Sequence, residues 1–118
     1  MERISDSAFQ LSQSQVEQYW EDGFLVIDNV LSENELETYR EICELPEVTK
    51  HRPENAYNNE TFHLLGLCSL HEAFLELARH PVIVQCLRQL IGPDVQLQHS
   101  KLATKPPKRG AGVFPWHQ

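Results

Sequence analysis

The spacing of the apolar residues changes at Gly92 and Pro93, and no other feature of this chain constrains its fold as much. Before that point apolar side chains recur at the three- and four-residue intervals of helices. After it, Val95 to Lys105 alternates residue by residue, as a strand does. A chain whose helical pattern gives way to alternation combines helices with strands, the mixture of the α+β class. Its 118 residues are 41% apolar and 23% charged, an ordinary globular composition that sets one domain as the ceiling.

The helical part is punctuated clearly. Val16, Tyr19 and Trp20 give one face to a helix over residues 12–22, and Gly23 stops it. Phe24 to Ile27 is too short an apolar run for a helix and reads as a strand, followed by a turn at Asp28 and Asn29. Ser32 and Glu35 form a capping box, with Leu31 and Leu36 at the staple positions. The helix so begun buries Leu36, Tyr39, Ile42 and Cys43 and ends before Pro46. Residues 46–60 hold two prolines and three asparagines without any period, so they read as a long loop, either a lid or a plain surface excursion. Ser69 and Glu72 make a second possible capping box, leading into Ala73, Phe74, Leu77 and Ala78. Pro81 opens a last helix whose expected core face is Ile83, Val84, Leu87, Leu90 and Ile91.

Charge is distributed unevenly. Residues 1–60 carry 14 acids and 4 bases, a balance of −10, whereas residues 61–118 carry 3 acids and 6 bases, +3. Lys101, Lys105, Lys108 and Arg109 fall close together, where an anionic ligand would be sought first; a solvated loop is the plainer reading. The overall balance of −7 argues against nucleic acid as a partner. The polar start of the chain and the absence of a long apolar run argue against membrane insertion and secretion, which makes the cytoplasm the expected location. Cys43, Cys68 and Cys86 are odd in number and sit inside apolar helical patterns, so they are expected to be buried thiols.

Most catalytic constellations are absent. The five glycines form no phosphate-binding loop, and no nucleophile elbow is present. Cys68 and His71 have the spacing of half a zinc site without the other half. His51, His63, His71 and His80 read as surface or capping residues. What remains is the C-terminal stretch. Its strand places Val95, Leu97, His99, Lys101, Ala103 and Lys105 on one face, and Gln96, Gln98, Ser100, Leu102 and Thr104 on the other. Both faces carry polar groups, which suits a strand lining a polar cavity. Beyond Lys105 come a Pro and Gly turn and an extended run, Val113 to His117.

Three segments, LSQSQVEQYWEDGFLVIDNVLSENEL, HPVIVQCLRQLIGPDVQLQHSKLATKPP and FPWHQ, resemble the N-terminal part of the phytanoyl-CoA dioxygenase family in order and spacing. The resemblance implies a non-haem Fe(II) and 2-oxoglutarate dependent dioxygenase, with O₂ as co-substrate. It implies a double-stranded β-helix, a cupin-like jelly roll with N-terminal helices outside it. Residues 1–118 would be the first part of that single domain: 1–93 a mainly helical outer layer with one early strand, 94–118 the first core strands, ending at the iron motif.

In the family, tryptophan-histidine-glutamine is followed by Asp, and the His and Asp supply two of three iron ligands; a distal His completes the triad. The resemblance therefore assigns His117 as a metal ligand. Lys105 falls where related hydroxylases set a strand Lys against 2-oxoglutarate, and Lys101 lies at a cofactor-lining position. His99 falls at a substrate-contacting position. The alternation independently puts Lys105 on one face with His99 and Lys101. A Lys pointing into an apolar barrel needs an anion, and a dicarboxylate provides one; an exposed Lys at a strand end is the alternative. Two imidazoles and a carboxylate on one face leave open positions for a keto acid and O₂, so His117 alone cannot bind iron at three points. The expected parent hydroxylates a C–H bond of a small-molecule or acyl substrate, and this chain alone is expected to be inactive. The rival readings are a small acidic helical binding module and a non-catalytic homologue of the family.

Overall fold

A computed structural model of the chain describes residues 9–52 and 62–104. Along them run α1 (Gln13–Asp22), α2 (Glu33–Cys43), α3 (Pro46–Thr49), β1 (Phe62–Leu65), α4 (Leu67–Leu70), α5 (Glu72–Ala78), α6 (Pro81–Ile91) and β2 (Lys101–Thr104). Helices and a two-stranded antiparallel sheet together make a mixed α and β architecture, as the change of period requires. No described helix is long and apolar enough to cross a membrane.

Local chemistry sets the helix ends. Ser32 Oγ accepts from the Glu35 amide at 3.2 Å while Glu35 Oε2 accepts from the Ser32 amide at 2.8 Å, closing the expected capping box. Ser12 and Gln15 form a second box at the start of α1, with the Ser12 amide donating to Gln15 Oε1 at 2.9 Å. Gly23 ends α1 at φ 81°, its amide donating to the Tyr19 carbonyl at 2.8 Å; a side chain there would be strained in that left-handed conformation.

Two apolar clusters hold the elements together. The first joins Leu11, Val82, Cys86 and Leu90, with Val16, Tyr19, Leu25, Ile27 and Val30 packed around them. Its registration comes from Gln89. Gln89 Oε1 accepts from the Leu11 amide at 2.9 Å, and Gln89 Nε2 donates to the Phe9 carbonyl at 3.1 Å, so the segment before α1 is tied to α6. The second joins Val48, Leu64, Leu67 and Phe74, with Ile42, Cys43, Cys68 and Leu102 around them.

Several expectations need correction. Phe24 to Ile27 runs extended but belongs to no strand of the described sheet. The segment expected to be all loop from residue 46 opens with α3, because Pro46 supplies a ready first helical position and Val48 is fully buried at 0% exposure. Its residues 53–60 lie outside those described. Ser69 caps nothing: it sits within α4 and its hydroxyl donates back to the Gly66 carbonyl at 2.7 Å. His71 takes the cap of α5 instead, Nδ1 accepting from the Ala73 amide at 3.1 Å.

The core face of α6 is turned from the expected one. Val82, Cys86 and Leu90 are buried, Ile83, Val84 and Leu87 are half-buried, and Ile91 is exposed. Seven of the 11 residues of α6 are apolar, so periodicity alone could not choose between neighbouring stripes. Of the three thiols, only Cys86 is buried and Cys43 and Cys68 are half-buried; all are free. Burial pushes the Cys86 thiol up. Burial also raises Cys43, helped by Glu44 and opposed by Arg52.

Replacing Ser32 with Ala should cost about 1 kcal/mol of unfolding free energy, read from urea titration, since it removes the box at α2. Cys86 should react with a disulfide reagent at pH 8 at least about tenfold more slowly than an unfolded control, because reaction requires a thiolate and access.

Candidate functional site

β2 is built where the chain returns to β1. Phe62 pairs with Thr104, His63 with Ala103, Leu64 with Leu102, and Leu65 with Lys101. Of the strand expected over Val95 to Lys105, Lys101 to Thr104 form β2, and Val95 to Ser100 belong to no ladder among the described residues, outside which Lys105 lies. The reason lies in its partner. β1 ends at Gly66, whose left-handed φ of 68° turns the chain into α4. The Gly66 amide then donates to the Ser100 carbonyl at 2.9 Å and the Cys68 amide to Ser100 Oγ at 3.0 Å, closing the ladder from below.

Directly opposed residues of an antiparallel pair share a face. Leu64 and Leu102 therefore lie together, and both pack into the cluster of Val48, Leu67 and Phe74. Leu65 and Lys101 share the opposite face with His63 and Ala103. Most of that face is open: Leu65 is 67% exposed, and Lys101 and Ala103 are exposed, while His63 is half-buried. The alternation read from the sequence thus assigns Lys101 and Ala103 correctly to one side and Leu102 and Thr104 to the other. His99 is also exposed, on the unpaired approach to β2. Lys101 makes no ion pair among the described residues. Lys105 and His117, the other cofactor-binding and metal-binding candidates, lie outside the described residues.

No group of three or more His, Cys, Asp or Glu side chains gathers to hold a metal among the described residues. The histidines expected to be at the surface or at caps divide. His51 is exposed and His71 is a cap. His80 takes the N-cap position of α6, without a side-chain cap bond, but is buried rather than exposed, with Nε2 4.0 Å from Glu35 Oε1. Its burial was missed because a His before Pro reads as a helix boundary, and boundaries are usually exposed. Nor did the sequence announce the apolar cleft of about 310 Å³ between α1, the extended segment and α6, lined by Tyr19, Leu25, Ile27, Val82 and Cys86 among others. Its signal was the alternation of Leu25 and Ile27 with Phe24 and Val26.

Residues 19–118 match the model of the family described as phytanoyl-CoA dioxygenase (PhyH). Among curated proteins, the ectoine dioxygenase of Nocardia farcinica is 27% identical over 124 residues, covering 99% of this chain and 41% of the relative. That of Bordetella parapertussis is 28% identical over 116 residues, 91% of this chain and 36% of the relative. That of Streptomyces coelicolor is 30% identical over 102 residues, 81% and 34% respectively. The chain thus spans between 34% and 41% of the length of these relatives. No solved structure is significantly similar to it.

The two faces of the sheet should respond oppositely to substitution. Leu64→Ala should cost roughly 3 kcal/mol by urea unfolding, because it opens a cavity in the second cluster. Leu65→Ser should stay within about 0.5 kcal/mol of the parent, since the side chain it removes is already in water.

Proposed function

The chain belongs to the phytanoyl-CoA dioxygenase family, and on that premise we propose that it is the N-terminal part of a non-haem Fe(II) and 2-oxoglutarate dependent dioxygenase. The parent protein hydroxylates a C–H bond of a small-molecule or acyl substrate, and this chain does not turn over by itself. The observation that carries the reading is the reach of the family match, which runs through Trp116 and His117. Iron with 2-oxoglutarate would supply the oxidation of the C–H bond by O₂, with release of succinate and CO₂.

The donors that this chain offers fit such a group in kind. His117 brings one neutral imidazole, a ligand type suited to Fe(II) at an open facial site. Lys101 brings a cation to β2, and the sequence alternation assigns Lys105 to the same side, where a dicarboxylate would neutralise them. The open side of β1 and β2 supports this assignment for Lys101, because it is exposed, pairs with Leu65 and lies outside the packed cluster. His99, two residues before Lys101, is assigned to contact substrate. A sheet closing over this face would exclude water and strengthen each of these interactions. One imidazole does not hold iron against water, so the remaining carboxylate and imidazole must come from elsewhere in the parent.

Succinate release is the measurement that checks both halves of the proposal. The purified chain with Fe(II), 2-oxoglutarate and O₂ should release no more succinate than a protein-free iron blank. A longer product of the same gene should couple 2-oxoglutarate consumption to succinate release, and His117→Ala in it should abolish that coupling. Turnover by residues 1–118 alone, or full turnover by the His117→Ala protein, would overturn the reading.

A further inference from the structure

The charges of α1 run against the helix that carries them. The carbonyl end of a helix favours cations, yet the last turn of α1 holds no base and ends on Glu21 and Asp22. Glu17 and Glu21, both exposed, stand four residues apart on one face, a spacing at which like charges repel. The neighbouring acidic helix follows the rule instead: Glu33 and Glu35 lie in the first turn of α2 and Arg40 in its last. Ion pairing divides in the same way. Glu35, Glu37, Glu44 and Glu47 each face a His or an Arg, whereas Glu17, Glu21, Asp22 and Asp28 make no ion pair among the described residues. Beside these carboxylates stands Trp20, 67% exposed and three residues from Glu17. Its indole meets the ring of Tyr19 edge-on, centroids 5.4 Å apart at 84°, and Tyr19 is itself packed against the first apolar cluster. Glu17 Oε1 accepts from Gln13 Nε2 at 2.8 Å, which steadies the carboxylate along the helix.

We infer that the C-terminal half of α1 is a docking surface for an arginine-rich segment of another protein, with Trp20 as the face on which a guanidinium stacks and Glu17 and Glu21 as its carboxylate partners. Local rules of helix stability are broken where a surface serves something else, and an exposed, oriented tryptophan is the side chain that interfaces favour. Charge complementarity selects the occupant. Residues 9–38 hold seven acids and no Lys, Arg or His, so this surface repels nucleic acid, anionic lipid and the same face of a second copy. Arginine suits it better than lysine. A guanidinium is planar, stacks on an aromatic face and still gives paired N–H donors to a carboxylate, while an ammonium is compact and strongly hydrated. A cation held there also relieves the repulsion between Glu17 and Glu21 and answers the helix dipole, so docking stabilises the helix it uses. None of the residues assigned to iron, 2-oxoglutarate or substrate takes part.

Isothermal titration calorimetry of residues 1–118 with nona-arginine as the probe tests this. Trp20→Ala should weaken binding at least about threefold, and Glu17→Gln combined with Glu21→Gln about tenfold. Glu37→Gln combined with Glu41→Gln removes the same charge at the same spacing from α2, and should weaken binding less than about twofold. Nona-lysine should bind at least about threefold more weakly than nona-arginine. In a Trp116→Phe background Trp20 is the sole tryptophan, and its fluorescence should change saturably over the same range of nona-arginine. Glu21→Lys should lower the affinity while raising the midpoint of urea unfolding, because it removes a misplaced charge from the free helix. Every side chain replaced on α1 and α2 is exposed, and the urea midpoints check that the variants fold. Binding by Trp20→Ala equal to that of the parent would overturn the inference, as would an α2 variant as weak as its α1 counterpart, equal affinity for nona-lysine, or silent Trp20 fluorescence. So would a lower urea midpoint for Glu21→Lys, since the carboxylate would then serve the fold and not a partner.

Discussion

Gln89 decides how the outer helices sit. Its amide group takes the Leu11 N–H and gives an N–H to the Phe9 carbonyl, a pair of bonds that links positions 78 and 80 residues apart in sequence. A third bond, to the Gln85 carbonyl, steadies the side chain along its own helix. With that clasp in place Leu11 falls over Val82, Cys86 and Leu90, and α1 must run alongside α6. Gly23 then reverses the chain so that Leu25 and Ile27 return to the same face of α6. Each hydrogen bond contributes only about 1 kcal/mol net, so most of the stabilisation comes from the apolar contacts. The clasp matters by choosing which contacts form.

That choice also explains which parts of the fold were legible in the sequence. Ser32, Glu35, Gly23 and Pro81 act within one turn of the backbone, and the ends of α1, α2 and α6 follow from them directly. The rotation of α6 does not, because it depends on Leu11 and on a glutamine whose partners are remote. The length of β2 is likewise set by where Gly66 ends its partner strand, so alternation through Val95 to Ser100 could signal extended chain but not a ladder. The site was legible in the same uneven way. Alternation placed Lys101 on the face opposite Leu102, and burial agrees. That His80 is buried beside Glu35 depends on how α2 meets α6, which no local pattern encodes.

The uneven charge acquires a structural meaning from this arrangement. The acidic side chains of residues 17–47 lie on α1, α2, α3, the segment between the first two and the C-cap of α2 at Glu44, all outside the sheet. Lys101 lies on the sheet face that the helices leave open. An anion approaching that face meets a cation with the carboxylates set on other elements. Separation of this kind would let an acidic chain offer a site to an anion, since local fields rather than net charge govern a site within a Debye length of about 8 Å.

The open face of the sheet and the exposed side of the extended segment are two consequences of one asymmetry. Helices cover one side of β1 and β2 through Leu64 and Leu102, and they cover one side of Leu25 and Ile27 through α6. In both places the uncovered side carries apolar groups, Leu65 in one and Phe24 and Val26 in the other, at exposures of 46% to 70%. Burying a leucine-sized side chain contributes roughly 2 kcal/mol, so a sheet that covered all three would gain several kcal/mol from apolar surface alone. It would also enclose Lys101, and the buried cation would then require an anion. If Lys101 serves the anion as proposed, completing the core and creating the anion's site would be one structural event, and the stability of such a domain would be tied to the occupancy of that site.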